Sequence, residues 1–178
     1  TIMKKIISAA VLMSFVLSAA GCGYTTRPGY PSHLKTIYIE PFENNINYTE
    51  DLNRGLYVPL LEVKVREAII DRVQFDGHLR IAKPEDAGLI LKGSLLGFER
   101  NVLRRTDSND VEEYRIQVIV DLTMTEREPG TIFWEEKGFA GESTYFLSGP
   151  SAKSEAEAID LALVYLARRV VERGIESW

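Results

Sequence analysis

Two runs of the chain alternate so regularly that they accept one local structure. Leu89, Leu91, Gly93 and Leu95 alternate with Ile90, Lys92 and Ser94, and Tyr114, Ile116, Val118, Val120, Leu122 and Met124 alternate with Arg115, Gln117, Ile119, Asp121, Thr123 and Thr125. A period of two puts each set on one face of a strand. The turn formers Thr106-Asp107-Ser108-Asn109-Asp110 join the runs into a long antiparallel hairpin with one buried and one wetter face. Gly93 and Gly97 inside the first run predict a bulge or a close backbone approach. Pro129-Gly130 makes a further tight turn, and Thr131 to Lys137 is expected to continue the meander.

A one-sided apolar sheet needs a cover, and the sequence supplies two helices. From Asp51 the period becomes helical, with Leu61, Val65, Ala68, Ile69 and Val73 on one face. Proline disrupts a helix interior and is tolerated in its first turn. Pro59 therefore sets the start of the regular helix near Val58, with Leu52 to Tyr57 as a looser lead-in, and Asp76-Gly77 ends it in a turn. The second helix opens on the capping box Ser154/Glu157 and buries Ile159, Ala162, Leu163, Leu166 and Val170. Glu155, Glu157 and Asp160 at its start and Arg168, Arg169 and Arg173 near its end match the helix dipole, and Gly174 is the expected terminator. Before the first helix, Leu34 to Glu40 reads as a strand stopped by Pro41, followed by a polar loop from Phe42 to Glu50. After it, Leu79 to Ala82 reads as a short strand. The expected fold class is α+β, a mixed, mostly antiparallel sheet of about four to five strands with two amphipathic helices packed on one face.

The N-terminal stretch obeys different rules. Lys4-Lys5, the apolar run from Ile6 to Leu17 and the small residues Ser18-Ala19-Ala20-Gly21 before Cys22 have the three regions of an export signal. The run is short of the roughly 20 apolar residues that cross a bilayer core. Cys22 is the one cysteine of the chain, so it has no intramolecular partner and calls for a separate explanation. Ala19-Ala20-Gly21-Cys22 resembles the lipobox of bacterial lipoproteins, whose processing leaves a diacylglycerol and an N-acyl chain on the cysteine. Residues 1–21 are then a signal peptide, 22–33, with Pro28, Gly29 and Pro31, a lipidated tether, and 34–178 a single domain. The signal holds two of the 21 Lys and Arg and none of the 26 Asp and Glu, so the mature chain is more acidic than the −5 of the whole. That balance opposes nucleic-acid binding, which relies on clustered bases, and leaves attachment to membrane with the acyl chains.

No arrangement of residues suits catalysis. His33 and His78 stand alone, without ligand spacing to a Cys, another His or a carboxylate pair. No serine occupies a Gly-x-Ser-x-Gly turn, and Gly93/Gly97 and Gly138/Gly141 lack the setting of a phosphate cradle. The neighbours Glu112-Glu113 and Glu135-Glu136 point to opposite faces of their strands and read as solvated charges. No cofactor and no metal is expected. Arg100, Arg104 and Arg105 cluster near the hairpin end in an otherwise acidic protein, and guanidinium groups suit bidentate capture of phosphate. Pairing with Asp107, Asp110, Glu112 and Glu113 would satisfy the same arginines.

Four segments together resemble a known family. Cys22-Gly23-Tyr24, Leu34-Lys35-Thr36-Ile37-Tyr38-Ile39-Glu40-Pro41-Phe42-Glu43-Asn44, Asp76-Gly77-His78-Leu79-Arg80 and Ala87-Gly88-Leu89-Ile90-Leu91-Lys92-Gly93 are similar to LptE, the lipopolysaccharide-assembly lipoprotein. Ala87-Gly88 replaces the family's more usual Ala-Asp. The resemblance implies a non-enzymatic lipoprotein on the periplasmic face of the outer membrane. It would sit as a plug inside the LptD β-barrel, assist barrel assembly and help pass lipopolysaccharide to the surface. Gly23 beside the acylated cysteine agrees with outer-membrane sorting as known for enterobacteria. The resemblance also implies contact with lipid A phosphates through basic residues of the sheet and its loops, and charge selects Arg100, Arg104, Arg105 and Lys137 for that role. Thr36 to Asn44 is similar as well to the first strand and loop of curli-secretion and penicillin-binding-protein-activator lipoproteins, the alternative reading.

Overall fold

The computed structural model describes residues 34–48 and 57–176. Cys22, the signal segment, the tether with His33 and most of the lead-in to the first helix lie outside the described residues. Strands β4 (Leu89–Arg105), β5 (Val111–Glu126) and β6 (Ile132–Phe146) form the antiparallel meander, with Leu89 opposite Glu126, Arg105 opposite Val111 and Glu113 opposite Phe146. The inward set is the one the alternation selects: Leu89, Leu91, Leu95, Ile116, Val118, Val120, Leu122 and Met124 are buried. A register shift between Leu95 and Gly97 changes the phase of β4, so that Phe98, opposite the inward Val118, rather than Gly97, opposite Ile119, continues the inward set. One inserted residue reverses which side chains face inward from that point on.

Strand β1 (Thr36–Ile39) lies parallel to β4 on one side and to β3 (Arg80–Ile81) on the other. It is shorter than the expected Leu34 to Glu40, although Leu34 is itself buried. The expected polar loop after it contains β2 (Glu43–Asn44), parallel to β4 at Ser94 and Leu95. Phe42 explains that addition. Its ring fills the space over Gly93, where a Cβ would come within 2.2 Å of it, and so seats the following residues against β4. Among the described residues the sheet has six strands in the order β3-β1-β4-β5-β6, with β2 beside β4.

Strand β6 runs well past Lys137, where the sequence reading ended it. Gly138 takes a left-handed φ of 62°, its N–H donates to Asp121 Oδ1 at 2.7 Å, and the register with β5 shifts between Val120 and Leu122. The alternation changes phase at that bulge, and a continuous strand looks like two fragments.

Helices α1 (Leu61–Asp76) and α2 (Glu155–Glu176) cover the inner face. Leu61, Val65, Ile69 and Val73 of α1 are buried, as are Ala158, Ile159, Ala162, Leu163, Leu166 and Val170 of α2. Ile69 and Val73 share one core cluster with Val170 and Val171 of α2 and with Ile37, Leu91 and Met124 of the sheet. Gly77, with φ 75°, closes α1 by donating its N–H to Val73 O at 3.1 Å. Gly174, the expected terminator of α2, lies inside the helix and is buried; packing of this last stretch overrides the weak helix propensity of glycine. Along the free side of β6, the Arg169 guanidinium donates to Ala140 O and lies over the Phe139 ring, and Lys153 N–H donates to Phe146 O at 3.2 Å.

At Gly141 α2 lies directly against the sheet: a Cβ there would stand 2.4 Å from Leu166 Cβ and 2.5 Å from Ala162 O. Gly141→Ala is expected to lower stability by about 1–3 kcal/mol, the usual cost of overpacking, read as a lower urea midpoint with an unchanged slope. The capping box yields a second prediction. Ser154 N–H and Oγ both bond Glu157 Oε2 at 2.8 Å, and Glu157 N–H donates to Ser154 Oγ at 3.2 Å. The Ser154 backbone bond first, then its hydroxyl, hold the Glu157 carboxyl below its ordinary pKa. A carboxyl depressed in the folded state adds stability above its unfolded pKa and loses it as pH falls through the folded value. Ser154→Ala is therefore expected to destabilise the domain at neutral pH, by about 1 kcal/mol for loss of a cap, and by less in acid, measured as melting temperature against pH.

Candidate functional site

The four selected cations occupy three different settings. Arg100 lies opposite Ile116 on the helix-facing side of β4. Its Nη1 sits 2.7 Å from Glu155 Oε2 at the start of α2, and its guanidinium lies 5.0 Å from the Tyr114 ring centroid. Tyr145 O–H donates to the same Glu155 oxygen at 3.3 Å and its ring stacks on Tyr114 at 5.7 Å. Burial of Arg100 opposes its charge, but the Glu155 hydrogen bond and charge outweigh it and raise its pKa further. Burial, followed by the charge of Glu155, raises the pKa of Tyr145, so its hydroxyl keeps the proton it donates. Arg100 is a partner of the second helix and reaches a phosphate only by giving up Glu155.

Arg104 and Arg105 form the accessible pair. Arg104 lies opposite Glu113, whose side chain faces away from the helices because it alternates with Tyr114. Its Nε is 3.7 Å from Glu113 Oε2 and its guanidinium 5.5 Å from the Phe146 ring centroid, while more than half of its side chain stays exposed. Glu113 itself is only 6% exposed. The expectation that it is solvated is thus corrected: Phe146, opposite it on β6, and Arg104 on β4 cover it. Arg105 donates from Nη1 to Asn109 O at 2.9 Å in the hairpin turn. That turn is closed by Thr106 N–H to Asp110 O at 2.8 Å, with Asn109 at φ 70°. Lys137, exposed and 3.5 Å from Glu135 Oε1, lies on β6 near the level of Ser94. About ten residues of strand separate it from Arg104, roughly 30 Å at 3.3 Å per residue.

The sequence reading missed the apolar neighbours of the arginine pair. Val102, Leu103 and Leu147 are each more than 40% exposed at this end of the sheet. Val102 and Leu103 stand side by side in a strand, so one of them must face water on whichever side the core lies; that adjacency was the available signal. The outer face of the meander is polar, with Gln117 Nε2 donating to Glu142 Oε2 at 3.3 Å. His78 pairs with Asp76 at 2.5 Å. Among the described residues no group of three or more His, Cys, Asp or Glu is placed to hold a metal ion, and no helix is long and apolar enough to cross a membrane.

No curated relative matches the sequence. Among solved structures, the fold is similar to a protein from Xanthomonas campestris, 10% identical with a TM-score of 0.51 over 84% of this chain and 90% of that one. It is also similar to a hypothetical protein from Chlamydia trachomatis, 14% identical with a TM-score of 0.50 over 78% of this chain and 94% of that one. At such identities the likeness speaks to architecture. The match that bears on identity is to a family model, LptE, described as lipopolysaccharide-assembly, over residues 34–173. That span takes in every strand, α1 and nearly all of α2. The chain belongs to the LptE lipopolysaccharide-assembly family.

Proposed function

We propose that this protein is a non-enzymatic, lipid-anchored subunit of the outer-membrane machinery that delivers lipopolysaccharide to the cell surface, seated in an LptD-type β-barrel and assisting its assembly. Family membership over residues 34–173 is the observation that carries this reading. In it, residues 1–21 are a signal peptide, Cys22 carries the acyl chains, 22–33 form a tether and 34–178 form the folded domain on the periplasmic face. Several acyl chains bind a membrane stably where one binds marginally. The exposed Arg104 and Arg105 at the hairpin end are the proposed phosphate contacts, aided by the apolar Val102 and Leu103 beside them. Lys137 is a second, separate candidate.

The decisive experiment is purification of the acylated protein from detergent-solubilised outer membranes. One large β-barrel protein co-purifying in fixed ratio is the expected result. A ring of identical subunits, or a cell-wall synthase in place of the barrel, would overturn the proposal in favour of the alternative reading. Cys22→Ser is expected to abolish incorporation of labelled palmitate and to move the protein out of the membrane fraction.

The arginines separate by role. Arg104→Ala/Arg105→Ala is expected to weaken lipopolysaccharide binding severalfold, in a pull-down on immobilised lipopolysaccharide, with the domain still folded; Arg105→Ala alone, which leaves the Arg104–Glu113 pair in place, is expected to stay within about 0.5 kcal/mol of the parent stability, as is usual for surface changes. Unchanged binding would remove this site from the proposal.

A further inference from the structure

Among the described residues, the far end of the meander has almost no hydrophobic support. Residues 101–110 are all exposed. Register shifts fall between Val102 and Arg104 and between Arg104 and Arg105. Strand β6 stops at Phe146, opposite Glu113, so past that level two strands remain among the described residues, and a two-stranded ribbon is marginal by itself in water. The buried face of α2 begins at Ala158 and Ile159. The position of this end relative to the body is set at the boundary, where Tyr145 is buried and the remaining contacts are polar.

Four side chains from four elements meet at the boundary. Arg100 of β4 bonds Glu155 of α2 at 2.7 Å and covers Tyr114 of β5. Tyr145 of β6 stacks on Tyr114 and donates to that same carboxylate oxygen. The Arg100 and Glu155 side chains are each about 30% exposed, enough shielding for the pair to matter and enough access for it to open. The connection from β6 to α2 leaves from the same place, since Leu147 N–H donates to Glu112 O at 3.1 Å.

We infer that Arg100, Tyr114, Tyr145 and Glu155 form a clasp that docks the hairpin end and the first turn of α2 onto the core, and that this docking opens and closes as a unit separate from folding of the domain. Arg100 is its positioning residue, because it holds the helix carboxylate at 2.7 Å while covering the Tyr114 ring, and Tyr145 reaches the same oxygen only at 3.3 Å. With the clasp closed, the direction in which Arg104 and Arg105 project is fixed; with it open, the core sheet keeps its helices and the end swings free. Local openings of this kind occur well below the free energy of global unfolding wherever apolar contacts are few.

Hydrogen exchange read by mass spectrometry on the full purified chain tests this. In Arg100→Met and in Glu155→Gln, peptides covering 101–115 and 155–160 are expected to lose about tenfold in protection, while 61–73, 89–95 and 116–122 keep theirs. The double variant is expected to add little to either single one, since each breaks the same unit. Arg100→Lys, which keeps the charge and loses the planar stack, is expected to recover part of the protection. Unchanged exchange at the hairpin end would overturn the inference. So would an equal loss across all peptides, or failure of both single variants to fold, either of which would make the cluster part of the global core.

Discussion

Strand β4 is the member on which every other element depends. It pairs with β5 along its whole length on one edge, and on the other accepts β1 and then β2, two short parallel segments that follow one another along it. Burying its inner face brings Leu89, Leu91, Leu95 and Phe98 under the helices. Apolar burial is the largest favourable contribution to a fold of this size. A parallel two-residue strand such as β2 has no stability of its own and exists because Phe42 is already packed over Gly93. The helices are held in the same way: α2 approaches as closely as it does because Gly141 presents no side chain to Ala162 and Leu166.

Most of this was legible from period and punctuation. The hairpin, both buried helix faces, the capping box and the Asp76-Gly77 stop stand where the sequence puts them, because each depends on residues close together in the chain. The errors share one cause, long-range packing. Asn44 looks like loop until Phe42 is seen to lie on a strand about fifty residues away. Gly138 looks like an end until Asp121, seventeen residues distant, accepts its N–H. Gly174 looks like a helix stop until the core beneath that turn is filled. Of the candidate site, charge located the arginines correctly on the hairpin but said nothing about faces. Two bulges lie between Leu95 and Arg104, and each reverses the face on which later side chains emerge.

The division of labour among the arginines follows from that geometry. Arg100 meets the helix and Arg104 the buried Glu113, although only three residues lie between them. An acidic domain gains little general electrostatic attraction for an anion. Any affinity for phosphate has to come from a few groups held at a defined place, and such placement depends on how firmly the hairpin end is seated.

The free side of β6 shows how the fold meets another demand. The Arg169 side chain occupies the carbonyl of Ala140 and the Lys153 amide occupies that of Phe146, six residues apart in a strand that ends the sheet. Between them Glu142 places a charge on the stretch that stays open. An unprotected edge of this length would template pairing with any extended chain, including another copy still folding. Blocked at these two carbonyls, the edge offers an incoming strand no continuous ladder, and the folded domain is kept from joining such a pairing.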